Sequence, residues 1–253
     1  MAATPLLRSR RTNLYAQLNF DSKTFHDKVD VAVPAVITDK KAQVSMLSLL
    51  GDHRDGFGGG GVSTYSLTWT AGSLDLQTPE AFNTDAATAR TDGRYDKLGL
   101  NFMRLQSVTP TVSLYAALQG QLASRNLDVS EKIGLGGANA VRAYPEGEAY
   151  VDQGLLLNVE ARFSMPRLLD LMSGQWQLVG FLDSGTGRPN RNAWDADTER
   201  NRRTLSGGGL GLNWFAPGDF AVKASFAHKI GAAAATSVPD SDSRVWVDAV
   251  KYF

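Results

Sequence analysis

The chain has 253 residues, with 26 basic and 26 acidic side chains and no cysteine. That balance gives no electrostatic case for nucleic acid, and the missing thiols exclude a disulfide framework, a Cys nucleophile and Cys-ligated zinc. No apolar run approaches the roughly 18 residues of a transmembrane helix, a test that alternating barrel strands escape.

The first dozen residues, MAATPLLRSRRT, lack an apolar h-region and are not read as a signal peptide. A protein bound for the outer membrane needs one, so either the chain is cytosolic or residues precede Met1. Period-two alternation then recurs to the end, and helical periodicity is nearly absent. Leu14, Ala16, Leu18 and Phe20 oppose Tyr15, Gln17, Asn19 and Asp21. Over 111–122, Val112, Leu114, Ala116, Leu118 and Leu122 oppose Ser113, Tyr115, Ala117, Gln119 and Gln121. Over 154–163, Leu155, Leu157, Val159, Ala161 and Phe163 oppose Asn158, Glu160 and Arg162.

The pattern predicts about ten strands, near 13–28, 42–54, 61–76, 94–107, 111–124, 154–165, 175–186, 205–216, 219–230 and 244–253. Most reach the roughly 9–11 residues that a tilted strand needs to cross a bilayer. Their connections alternate in length. Long ones fall at 29–41, 77–93, 125–153, 187–204 and 231–243, and short ones at DGFGGG, SVTP, 166–174 and APGD. Short turns at one rim and long loops at the other are the pattern of an outer-membrane β-barrel. It puts both the N-terminus and Phe253 on the short-turn, periplasmic side. The competing fold is a soluble sandwich or lipocalin-like barrel, apolar within and polar without, which alternation alone does not exclude.

Two charged residues stand out. Arg142 lies in the Gly-rich loop LGGANAVRAYPEGEAYVDQG, and Asp183 lies inside a strand, GFLDSGTG. A charge facing lipid costs several kcal/mol at the midplane, so Asp183 should face the lumen. That turns Gln177, Val179 and Phe181 inward, and Trp176, Leu178 and Leu182 toward lipid. The glycines of SGGGLG fall on an apparent lumen-facing stripe, where small side chains leave room. DGFGGGG is a turn rather than a phosphate loop, since it lacks the Lys-Ser/Thr and the helix. His26, His53 and His228 show no metal-ligand spacing, and there is no G-x-S-x-G elbow. The residues support neither catalysis nor a cofactor.

VRAYPEGE, with the flanking SEKIGLGG and GEAYVDQG, resembles the tip of the inward-folded loop in outer-membrane protein-transport barrels. Val141, Arg142, Ala143 and Tyr144 fill the tip motif, with Ala143 where the wider superfamily often has Gly. Phe181, Asp183 and Gly185 match its F-x-D-x-G strand motif. The chain resembles the two-partner secretion translocators, the haemolysin secretion/activation proteins, over essentially its whole length. The resemblance implies an all-β fold: a transmembrane antiparallel β-barrel, present here in part, about ten of roughly sixteen strands. Residues 1–253 would be the C-terminal part of that barrel domain, with signal peptide and periplasmic domains absent from the chain. It further implies that the loop folds back so that Arg142 meets Asp183, with Glu160 a second acceptor. The terminal Phe253 resembles the signal read by the barrel-assembly machinery, and Lys251 could snorkel at the periplasmic rim.

The implied function is a pore component exporting a large secreted partner protein of haemolysin or adhesin type, inactive as this piece alone. Outer-membrane lipid and, during biogenesis, the assembly machinery are the other expected partners. Two alternatives are a barrel-assembly factor, which shares both motifs, and a soluble β-rich binding module.

Overall fold

A computed structural model describes residues 2–29, 36–165, 174–194, 201–216, 218 and 220–252. Thirteen strands are β1 (Ala2–Arg8), β2 (Thr12–Val29), β3 (Val36–Asp55), β4 (Gly61–Leu76), β5 (Gly93–Ser107), β6 (Val112–Ala123), β7 (Ile133–Gly134), β8 (Tyr150–Val151), β9 (Gln153–Met165), β10 (Gln175–Arg188), β11 (Arg203–Ala216), β12 (Phe220–Lys229) and β13 (Ser243–Lys251). A helix, α1 (Pro79–Ala87), lies in the β4–β5 connection. Eleven strands form one antiparallel sheet in chain order, and β7 and β8 form a separate ribbon within the β6–β9 loop. Each strand pairs with the next, as an up-and-down barrel wall requires. β1 and β13 occupy the two edges.

The sheet is inside-out relative to a soluble domain. Leu18, Phe20, Leu47, Leu67, Trp69, Leu122, Leu182, Leu210, Val245 and Val247 are large, apolar and exposed on its outer face. A soluble monomer rarely exposes an apolar patch beyond a few hundred Å². The opposite face carries Asp183, Glu160, Ser48, Thr70 and Lys40, all buried. Outside the short-turn ends of β10–β12, Trp176 stacks on Trp214 at 5.7 Å and Trp214 on Phe220 at 6.3 Å. Lys251 lies 4.3 Å from the centre of the Phe220 ring. This is the aromatic girdle of a membrane interface. The wall is that of a transmembrane antiparallel β-barrel, present in part, and the soluble sandwich is excluded.

Alternation missed three features. β1 is an additional strand, unread because AATPLLR has no two-residue period and contains a proline. It runs down to the short turn at 9–11, and Ala2 pairs with Leu18 well up β2, so the first residues do not sit at the short-turn rim. β2 and β3 stay paired out to Val29 and Val36, which converts much of the expected 29–41 loop into strand. The 77–93 loop contains α1, which has no buried residue. Phe253 and most of the 166–174 link lie outside the described residues.

The largest apolar core is not between two sheets. It is where the β6–β9 loop lies on the inner wall: Leu135, Val141, Ala143, Tyr144 and Val151 against Val179, Phe181, Leu205 and Ala227. Leu135, Val141, Ala143, Tyr144 and Val151 are each 0% exposed. Burying each of the larger ones is worth about 1.5–3 kcal/mol, so the loop is packed in place.

Candidate functional site

The loop between β6 and β9 enters the lumen through a short 3₁₀ turn, Val129–Glu131, and folds over itself by the β7–β8 ribbon. Gly136 and Gly137 let its two limbs close up. A side chain at Gly136 would fall 2.7 Å from the Pro145 carbonyl, and Gly137 has φ +133°. Val141 and Tyr144 then pack on the wall while Arg142 projects between strands.

Arg142 is held from several sides. Its Nε donates to Asp183 Oδ2 at 2.9 Å and one terminal nitrogen to Asp183 Oδ1 at 2.8 Å, a bidentate fork. The other terminal nitrogen donates to Glu160 Oε1 at 2.8 Å. Its backbone N–H also reaches Asp183 Oδ2 at 3.1 Å, and its carbonyl accepts from Trp246 Nε1 on β13 at 2.7 Å. The guanidinium lies 3.5 Å over the Phe181 ring. Asn158 bridges loop and wall, donating to Asp183 Oδ1 and to the Ala140 carbonyl, each at 2.8 Å. Arg162 takes the remaining oxygen of Glu160 at 2.7 Å. Two guanidiniums thus face two carboxylates, and the cluster is neutral. The Asp183 side chain is fully enclosed. Removing one partner strands charge where water is scarce and costs about 3–5 kcal/mol.

The expected residues meet as follows. Arg142 contacts both Asp183 and Glu160, so the choice between acceptors does not arise. β9 and β10 pair Asn158 with Asp183 and Glu160 with Phe181, which puts both carboxylates within one fork's reach. Gly185 lies under Leu135, where an added Cβ would come within 3.3 Å. On β11, an added Cβ at Gly207 would lie 2.5 Å from Ala143 of the loop, while one at Gly209 would strike the Phe226 carbonyl of β12 and come 2.7 Å from the Phe181 ring. Gly207 therefore seats the loop tip, and Gly209 makes room for the ring beneath the Arg142 guanidinium.

Other anchors escaped sequence reading. The enclosed Glu148 carboxylate accepts from the backbone N–H groups of Thr236 and Ser237 at 2.8 and 2.9 Å, from both hydroxyls, and from Arg203. Burial opposes its charge, but the Ser237 and Thr236 donors prevail and hold its pKa below the ordinary glutamate value. Tyr144 donates to the Ala233 carbonyl at 2.8 Å. These contacts strap the 230–242 connection to the loop. At the loop's base, Glu131 meets Lys97 at 2.9 Å and Lys23 at 3.1 Å, and Asp128 meets Lys40 at 3.1 Å. PEGE and the lumen-facing Asn158 were visible as residues, but their partners are remote in sequence. On the short-turn side of Arg142 a lumenal cavity of about 680 Å³ is lined by Arg162, Gln177, Asn213, Lys223 and Trp246. Among the described residues no three His, Asp or Glu side chains converge as metal ligands.

Residues 7–214 match the family model described as haemolysin secretion/activation protein ShlB/FhaC/HecB. The chain belongs to this family, the outer-membrane translocators of two-partner secretion. Among curated relatives it is 24% identical, over 98% of its length, to the heme/hemopexin transporter protein HuxB of Haemophilus influenzae, in strain 86-028NP and in strain ATCC 51907. It spans 42% of those proteins. Of solved structures, CdiB from Escherichia coli superposes with a TM-score of 0.75 at 20% identity, covering 99% of this chain and 44% of that one. This likeness supports the barrel fold.

Proposed function

We propose that residues 1–253 form the C-terminal part of the barrel of a two-partner secretion translocator, which exports a large secreted protein of haemolysin or adhesin type. The observation that carries this reading is the lumenal one: a loop fills the inner side of the wall and is locked there by Arg142. Such a plug must be held to keep the membrane sealed, yet it occupies the path cargo would take. Val141, Arg142, Ala143 and Tyr144 act as the lock's tip, and Phe181, Asp183 and Gly185, with Glu160, as its seat. The wall faces outer-membrane lipid, and Phe253 serves as a signal to the assembly machinery during biogenesis. The activity proposed is transport rather than catalysis. The two sheet edges argue that this piece alone does not export cargo, because an open edge in hydrocarbon leaves backbone groups unpaired.

The test is Arg142→Ala in the whole translocator, with secreted partner and outer-membrane translocator measured together. We expect export to fall at least tenfold while the variant still reaches the membrane. Unchanged export would reject the role of Arg142. Loss of many outer-membrane proteins on deleting the gene, rather than one exported protein, would favour an assembly factor instead.

A further inference from the structure

The outer face carries one feature that neither the lumenal lock nor export uses. Near the long-loop end of β5, β6, β9 and β10 there is a groove of about 890 Å³. Its floor is apolar, built by Leu98, Leu100, Leu122 and Leu155 with the side-chain-free Gly120, and its rim carries Arg188 and Arg202. That volume falls in the size range of ligand pockets.

The two arginines are unusually placed. Asp183 and Gly185 point into the lumen, so Arg188, an odd number of residues away, points out. Arg203 turns inward to Glu148, so Arg202 also points out. Gly187 pairs with Arg203, which makes Arg188 and Arg202 cross-strand neighbours at the end of that ladder. Both are exposed, and no side-chain hydrogen bond or ion pair holds either one among the described residues. Among the described residues no acidic side chain lines the groove. Like charges directly opposite on one sheet face destabilise each other unless an anion lies between them.

Height identifies the anion. From the girdle residues Trp176 and Trp214, Arg188 and Arg202 lie about twelve residues up their strands. At about 3.3 Å per residue and a tilt of about 40°, that is about 30 Å above the periplasmic interface. An apolar band is about 25 Å tall, so the pair stands at the headgroups of the opposite leaflet, with the leucine groove beneath at acyl-chain depth. Guanidiniums favour phosphate over other headgroup chemistry because of their planar fork.

We infer that this groove binds a phosphorylated, multiply acylated glycolipid of the outer leaflet, of lipid A chemistry, with a phosphate between Arg188 and Arg202 and an acyl chain over Gly120. The inference rests on the outer-membrane placement of the barrel, not on export. The experiment is native mass spectrometry of the delipidated whole translocator with bisphosphorylated lipid A, dephosphorylated lipid A or phosphatidylglycerol. Heat-modifiable gel migration reports independently that the barrel is folded. The folded protein should retain bisphosphorylated lipid A. The Arg188→Ala/Arg202→Ala double variant should lose at least fivefold of that retention, and dephosphorylated lipid A should bind as weakly. Gly120→Leu, which fills the groove without touching the cations, should weaken retention similarly. Equal retention by the folded double variant, or equal binding of phosphatidylglycerol, would overturn the site.

Discussion

The tip and the base of the lumenal loop are both held by ion pairs, but by different kinds. At the tip, one guanidinium engages two carboxylates through a planar fork and stacks on Phe181, while Trp246 holds the Arg142 backbone carbonyl. At the base, Glu131 and Asp128 are met by lysines from β2, β3 and β5. An arginine fork is pre-organised and loses its geometry as a unit, whereas an ammonium on a flexible stem can trade partners. The contrast teaches how a packed loop could leave a lumen without leaving the protein. On this contrast the tip is expected to release as a unit while the base stays tethered.

The largest effect should come from Arg142→Ala or Asp183→Ala. Each strands an enclosed opposite charge, for about 3–5 kcal/mol, and should lower the temperature at which the heat-modifiable folded band is lost. Arg142→Lys sharpens the contrast, since it keeps the charge but loses the fork. It should fall between wild type and Arg142→Ala, by about 1–3 kcal/mol in the same assay. A lysine as good as arginine would erase the distinction between tip and base.

Glu148→Gln tests the strap next to the tip. It removes the ion pair with Arg203, costs about 1.5–3 kcal/mol locally, and should speed protease cleavage within 230–242. Because the Glu148 pKa is depressed, its contribution is complete above the ordinary glutamate pKa. It is lost only as pH falls through the lower folded value. Protection of 230–242 should therefore persist through mildly acid pH. The smallest effect belongs to Lys23→Ala at the base. That ammonium is 37% exposed, and such pairs contribute about 0–1 kcal/mol.

Much of this was legible in the residues, for reasons that also mark where legibility ends. Leu114, Leu118 and Leu122 alternate with Ser113, Tyr115, Gln119 and Gln121 because one sheet face meets lipid, so strands and facing could be read locally. Asp183 was conspicuous because a carboxylate among apolar strand residues needs a special environment. β1 was hidden because its pairing with β2, not its own pattern, makes it a strand. Trp246, Thr236 and Ser237 were hidden because they reach the loop from about ninety to one hundred residues away. No local period encodes such a contact. The glycines of SGGGLG were placed on the lumenal face, but only the loop's Ala143 explains why Gly207 carries no side chain, and only the Phe226 backbone and the Phe181 ring explain Gly209.

The most direct test asks where the tip lies. These 253 residues contain no cysteine, so Val141→Cys, a near-isosteric change at a fully buried position, gives a single reporter within them beside the lock. Intact cells would be treated with a membrane-impermeant maleimide, with and without Asp183→Asn. The account predicts a protected thiol in the otherwise wild-type protein and at least several-fold faster labelling once Asp183 is neutralised. Equal labelling in both would contradict the claim that the Arg142–Asp183 fork pins the loop inside the lumen.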